Sequence, residues 1–298
     1  MPVAPLFLAA AMLAPPLLPL PPAAQQPTQP EPGQGATARG VLDAQQWFRP
    51  SGAAHPGPLR ALALRPASFT VQPGQPVALT LRTQGPEPEP WPPASWMFIR
   101  VASTQRNFDD PPRNARDEAT ATLDTPGVGL VGLDFAPGEV TASRPDLRAF
   151  IAERGRAPED APIAGDGQVA LRRVQSVKAI LRAGAPGQEV GASEATGKSG
   201  QQVEIRPLMD PLATPVGGDI AVRCYAASGS APGARLIATH EPTGQRQEST
   251  ADASGIARFT LTAPGPWRIE FHELIAGDPP TLYSATLTFE APAPELQR

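Results

Sequence analysis

The chain has 298 residues, a formal net charge of −4 and 40 prolines, with 41% hydrophobic and 18% charged residues. That charge offers no basic footprint for nucleic acid and no polybasic patch for anionic lipid. The single cysteine, Cys224, excludes an intramolecular disulfide and a thiolate metal cluster. Proline at more than twice its usual frequency of roughly 5% opposes long helices and central strands and favours short strands joined by many turns.

Residues 3–20 (V-A-P-L-F-L-A-A-A-M-L-A-P-P-L-L-P-L) are apolar and uncharged. They are short for a membrane span and are broken by Pro15, Pro16 and Pro19, but they suit the apolar region of a secretory signal ending near Ala23-Ala24. Residues 1–24 are therefore expected to be a signal peptide. Residues 25–40 have almost no large apolar side chain and read as a disordered Pro/Gln-rich linker.

A first β-sandwich domain is expected over 41–211. Trp47-Phe48-Arg49-Pro50 stands at its entry. Strands follow on either side of Pro73-Gly74, with Val77, Leu79 and Leu81 facing inward, then over Trp96–Val101 and Val128–Phe135. A short helix is expected near 145–154: Ser143-Arg144-Pro145-Asp146 is a helix start, Leu147, Phe150 and Ile151 share one face, and Gly155 ends it. Val169–Leu181 fits either a helix or a strand by spacing. The small, polar stretch Gly184–Gly200 reads as a flexible hairpin tip, and Val203 and Ile205 as a short strand.

Pro211–Gly218 reads as a domain boundary, and a second, Ig-like sandwich is expected over 216–291. In it, Ile220, Val222 and Cys224 alternate inward, a strand runs near Leu236–Thr239, and Tyr283, Ala285, Leu287 and Phe289 close the domain. Asp252 and Gly255 bracket a tight turn. Beyond it, Ala257, Phe259 and Leu261 alternate with polar residues, Pro264-Gly265-Pro266 reverses the chain, and Trp267, Ile269 and Phe271 alternate with Arg268, Glu270 and His272. This predicts a β-hairpin with Trp267 in the core and Arg268, Glu270 and His272 on a solvated face.

Signals for chemistry are sparse. Gly127-Val128-Gly129-Leu130-Val131-Gly132 matches a dinucleotide-binding fingerprint in letters, but an extended segment follows it where that motif needs a helix N-terminus. No G-x-S-x-G occurs, and adjacent Asp109 and Asp110 in a loop are expected to cap turns. Of the histidines His55, His240 and His272, only His272 has a carboxylate at strand spacing, Glu270. The pair is a weak metal-ligand candidate, since spacing alone supplies two of the three converging ligands a metal site needs.

Several motifs in order resemble those of the DUF4198 family of exported bacterial proteins. They are Trp47-Phe48-Arg49-Pro50, Val177-Lys178-Ala179-Ile180-Leu181-Arg182-Ala183-Gly184, Val203-Glu204-Ile205-Arg206-Pro207-Leu208-Met209-Asp210-Pro211, Ala251–Gly255, and Gly265-Pro266-Trp267 through His272. The resemblance spans about residues 44–290 and tilts Val169–Leu181 toward strand. It implies a periplasmic or secreted protein with an Ig-like last domain similar to carboxypeptidase regulatory-type sandwiches. The family has carried a nickel or cobalt transport label. Members commonly place a histidine before the first motif's tryptophan, where this chain has Gln45 and Gln46, so only His272 carries over.

The expectation is an all-β chain of two β-sandwich domains with one inserted helix, following a signal peptide and linker. Its expected role is that of a non-enzymatic binding or accessory protein of the cell envelope. The partner would be an envelope protein or glycan, with no cofactor, no nucleic acid and no membrane span in the mature chain. The alternatives are a nickel- or cobalt-binding component using Glu270 and His272, and a hydrolase.

Overall fold

The computed structural model describes residues 59, 61–83, 88–89, 91, 95–116, 118–157, 163–188, 190, 193–226 and 229–293. The expected signal peptide, linker, Trp47-Phe48 entry, Gln45, Gln46 and His55 lie outside the described residues. In chain order the strands are β1 (Ala63–Pro66), β2 (Thr70–Val71), β3 (Pro76–Arg82), β4 (Pro88–Glu89), β5 (Ser95–Val101), β6 (Thr104–Phe108), β7 (Thr120–Thr122), β8 (Gly127–Phe135) and β9 (Gly138–Ser143). Helix α1 (Arg144–Arg154) follows, then β10 (Gln168–Ala183), a 3-10 turn over Glu194–Thr196, β11 (Glu204–Pro207), β12 (Asp219–Ala226), β13 (Gly229–Ser230), β14 (Arg235–His240), β15 (Gln245–Thr250), β16 (Ile256–Thr260), β17 (Gly265–Ile275) and β18 (Thr281–Ala291). Among the described residues the structure is all-β apart from one α-helix and the 3-10 turn, and no helix is long and apolar enough to cross a membrane.

The strands make three sheets among the described residues. The central one has ten strands along the path β15-β14-β17-β18-β10-β8-β5-β6, with β2 and β9 also on β10. A sheet of β1, β3, β4 and β7 packs on one face, and a sheet of β11, β12, β13 and β16 on the other. Alternation along the central strands explains both cores. Met97, Ile99, Val131, Leu133, Val177, Ala179 and Leu181 meet Leu62, Leu64, Leu79 and Leu81 on the first face. Phe98, Leu130, Val174, Ile180, Trp267, Ile269, Phe271 and Leu287 meet Ile205, Ile220, Val222, Cys224 and Phe259 on the second. Trp267 and Cys224 are fully buried as expected, and burial pushes the Cys224 thiol pKa up.

β10 is the seam. It pairs antiparallel with β9 and β8 and parallel with β18, the last over Arg172–Ala179 against Thr281–Thr288. A parallel neighbour requires a long crossover, and here β11 through β17 make it. The expected boundary at 211–218 falls within that crossover, so strands from 41–211 and from 216–291 share one sheet. The described residues belong to one compact unit, 47–298.

Two local expectations take a different form. The short strand expected at Val203 and Ile205 is β11, which begins at Glu204, but Gly184–Gly200 before it is no hairpin tip. Glu194 within it is buried, forms an ion pair with Arg100 at 2.9 Å and accepts the Ser103 N–H. The predicted hairpin over 256–272 is instead a corner between sheets: β16 pairs with β12, and β17 pairs with β14 and β18. The tight turn exists, with Gly255 at φ +75° donating to Asp252 O, but it leads from β15 in the central sheet to β16 in the other. Gln247 of β15 bridges the corner, its amide accepting from Thr260 N–H at 3.1 Å and donating to Thr260 C=O at 2.6 Å. Pattern alone cannot separate a hairpin from such a corner, because both keep the same alternation.

The helix is where it was expected. Ser143 caps it by accepting the Asp146 N–H at 3.1 Å, Pro145 lies in its first turn, and Leu147 and Ile151 are buried. Gly155 then lets the chain pass against β17, where Arg156 N donates to His272 O and Leu274 N to Arg156 O. A Cβ at Gly155 would meet His272 O at 3.0 Å.

Candidate functional site

The alternation of β17 turns Arg268, Glu270 and His272 away from the Trp267 core, as the sequence predicts. It does not turn them to water. Helix α1 and the β1 chain cover that face, so Glu270 and His272 are fully buried and Arg268 is 4% exposed. The expected solvated face is corrected by this cover, which comes from segments over a hundred residues away in sequence.

Arg154 reaches down from the last turn of α1 and sets its Nη1 2.8 Å from Glu270 Oε2, while Arg268 Nη2 stands 2.7 Å from Glu270 Oε1. One carboxylate thus sits between two guanidiniums, and outside the cluster Glu153 pairs with both Arg154 and Arg246 at 3.2 Å. His272 Nδ1 lies 3.0 Å from Ser284 Oγ, its Nε2 is 3.5 Å from Glu270 Oε2, and the Phe150 ring meets the imidazole edge-on at 5.0 Å. Burial by itself would raise the Glu270 carboxyl pKa, but His272 and the two guanidiniums outweigh it and hold it at about 2. Burial lowers the pKa of His272 against the pull of Glu270, keeping the imidazole neutral.

The structure therefore brings the two sequence-predicted ligands together, but it commits them elsewhere. Both Glu270 oxygens face guanidiniums, and among the described residues no group of three His, Cys, Asp or Glu could hold a metal ion. Two buried arginines also make the local field unfavourable for a cation. His240 lies on the opposite face of the sheet, its Nε2 donating to Pro264 O at 3.0 Å and its Nδ1 2.9 Å from Thr243 Oγ1. Asp109 and Asp110 are exposed. The G-x-G-x-x-G stretch is strand β8: a Cβ at Gly129 would meet Leu123 at 2.6 Å, and one at Gly132 would meet the Phe98 ring at 2.2 Å. Close packing, not phosphate binding, requires those glycines.

A second buried polar cluster, not foreseen as a site, lies across the sheet. Lys178 of β10 and Glu204 of β11 are 1% and 0% exposed in their side chains, with Nζ 2.7 Å from Oε1. Glu204 Oε1 also accepts the Ser199 N–H at 2.8 Å. Nearby, Ser176 donates to Asp134, and Gln201 Nε2 donates to Leu133 O and Val177 O. Burial raises the Asp134 pKa to about 6, with the hydrogen bonds from Ser176 and the Gln202 backbone opposing it. The signal in the sequence was a charged residue flanked by apolar β-formers, in V-K-A-I-L and V-E-I. An ionisable side chain there must find a buried partner. At the surface, a cavity of about 300 Å³ opens between Arg172, Val174, Gln202, Thr281 and Tyr283.

The family model described as "Domain of unknown function (DUF4198)" matches residues 60–273. No match was found among curated proteins. Among solved structures, likenesses include a 1.5-MDa bacterial ice-binding adhesin, with 9% identity, a TM-score of 0.22, and coverage of 78% of this chain and 66% of that one. Others are the D0-D1 domain of intimin, with 11% identity, a TM-score of 0.17 and coverage of 76% and 96%, and murine CEACAM1b, with 9% identity, a TM-score of 0.20 and coverage of 78% and 98%. The chain spans just under two thirds of the adhesin chain, and at these TM-scores the likenesses establish no common fold.

Proposed function

This chain belongs to the DUF4198 family, and on that premise we propose that it is an exported, non-enzymatic binding or accessory protein of the bacterial cell envelope. One observation carries this reading: the ionisable residues that could do chemistry, Glu270, His272, Lys178 and Glu204, are buried and engaged with one another or with arginines. A catalytic group must reach a substrate within hydrogen-bond distance. These groups instead tie layers of the fold together, which leaves binding to the outer surface, where the Arg172–Tyr283 cavity is a candidate contact.

In architecture, we read the fold as two Ig-like sandwiches that share the central sheet, one closed by the β1–β3 sheet and the other by the β11–β12 sheet. The apolar run at residues 3–20 supports export to the periplasm or beyond. The nickel or cobalt alternative would require Glu270 to release its guanidiniums.

Calorimetric titration of the purified chain with nickel and cobalt, alongside His272→Gln, tests the reading. We expect no heat that depends on His272. Micromolar binding abolished in His272→Gln would overturn it in favour of metal delivery. Protein recovered from the periplasm should begin after residue 24, and retention of the full-length chain in the cytoplasm would sink the export part.

A further inference from the structure

We propose that Lys178 and Glu204 are joined by an intramolecular isopeptide bond, Lys178 Nζ to Glu204 Cδ, which the folded chain forms by itself. The two groups that would condense are held in contact. Nζ is 2.7 Å from Oε1, the atom bonded to the carboxyl carbon, and both side chains are excluded from water at 1% and 0% exposure. Reactants fixed at contact distance in a dry site have most of the entropic cost of the encounter already met.

As an ion pair the arrangement is poorly satisfied. The ammonium has three N–H donors and one hydrogen-bond acceptor among the described residues, Glu204. Glu204 Oε2 is buried with no hydrogen-bond partner, while Oε1 holds both Lys178 and the Ser199 N–H. Two buried charges with an orphaned oxygen are costly, and a neutral amide removes both charges and the orphan together.

The step balances without an outside reagent. The ammonium gives up a proton, the amine attacks Glu204 Cδ, and the Nζ–Cδ bond forms as Cδ–Oε2 breaks. Two ammonium protons leave with Oε2 as water, and the third stays on the amide nitrogen. Oε1 becomes the amide oxygen and keeps the Ser199 N–H, which stands where negative charge collects during the attack. Burial, together with the positive Arg100 and Arg206 nearby, lowers the Lys178 pKa and favours the free amine, against the pull of Glu204. The product would bolt β10 of the central sheet to β11 of the outer sheet, across the apolar core, between residues 26 apart in sequence.

Mass spectrometry of the denatured protein and of its tryptic digest tests this. The expected protein is lighter by one water than its sequence. Its digest should contain a branched species in which residues 174–182, uncleaved at Lys178, are joined to residues 199–223. Glu204→Ala should show its full sequence mass and release residues 174–178 and 179–182 as separate peptides. Wild-type protein at full sequence mass, cleaved normally at Lys178, would overturn the proposal and leave a buried ion pair.

Discussion

Two carboxylates, Glu270 and Glu204, lie on opposite sides of the same central sheet, and the fold treats them differently. Glu270 sits between two guanidiniums, one from its own strand and one from helix α1, so both of its oxygens face positive charge. Glu204 faces a single ammonium through one oxygen, and its other oxygen has no hydrogen-bond partner. The first is an electrostatic clamp between two cations that fixes the helix over the sheet, with Oε1 facing the Arg268 guanidinium as an ion pair and not as a hydrogen bond. The second is a pair with a single cation, joining two sheets, and one oxygen of its carboxylate faces no cation at all. The difference follows from the donors. A guanidinium offers a fixed fork that suits a carboxylate, whereas an ammonium is a point charge with three donors to satisfy.

The sharpest way to break the comparison is Glu270→Ala. It takes the carboxylate from buried Arg268 and leaves Arg154 only its pair with Glu153, and we expect a loss of about 3–5 kcal/mol in urea unfolding. A loss well under that range would mean that the arginines find water once Glu270 is gone, and the clamp reading would fail.

Next in size is a pH contrast between the two faces. Asp134, near the Lys178 face, has its folded pKa raised from 3.8 to about 6, so the folded state holds that proton more tightly than the unfolded one. Its contribution to stability is full below pH 3.8 and is lost as the pH rises through about 6, roughly 3 kcal/mol in all. His272 has the opposite sign. Its folded pKa is lowered from 6.5, so its contribution is present above pH 6.5 and is lost as the pH falls. Unfolding free energies measured across pH should lose the first slope in Asp134→Asn and the second in His272→Gln. Unchanged slopes would show that neither group titrates on folding.

The smallest expected effect concerns packing. Gly132 faces the same side of β8 as Asp134, and a Cβ there would sit 2.2 Å from the Phe98 ring. Gly132→Ala should therefore cost about 1–3 kcal/mol, read as a lower urea midpoint, although alanine is the better strand former. An unchanged midpoint would mean that Phe98 moves aside freely.

Much of the local structure was legible in the residues. The Ser143 cap with Pro145, the Asp252–Gly255 turn, and the inward alternation of Val77, Leu79, Leu81 and of Trp267, Ile269, Phe271 each follow from contacts within a few positions. For Val169–Leu181 the spacing was silent between helix and strand, because from Arg173 onward the segment is buried on both faces and has lost its period. The candidate site was half legible. Glu270 and His272 share a face because strand period places them there, but Arg154, Ser284 and the cover over them come from elsewhere in the chain.

The sequence by itself determined an all-β chain with one capped helix, the apolar face of each strand, and the membership of its motifs in one family. Only the tertiary structure decided which sheet each strand joined, that β18 returns beside β10, and that the polar face of β17 is sealed from water. The reason is physical. Alternation records that a strand has two unlike faces, a property of adjacent residues, whereas what covers a face and which edge pairs with which depend on segments distant in sequence.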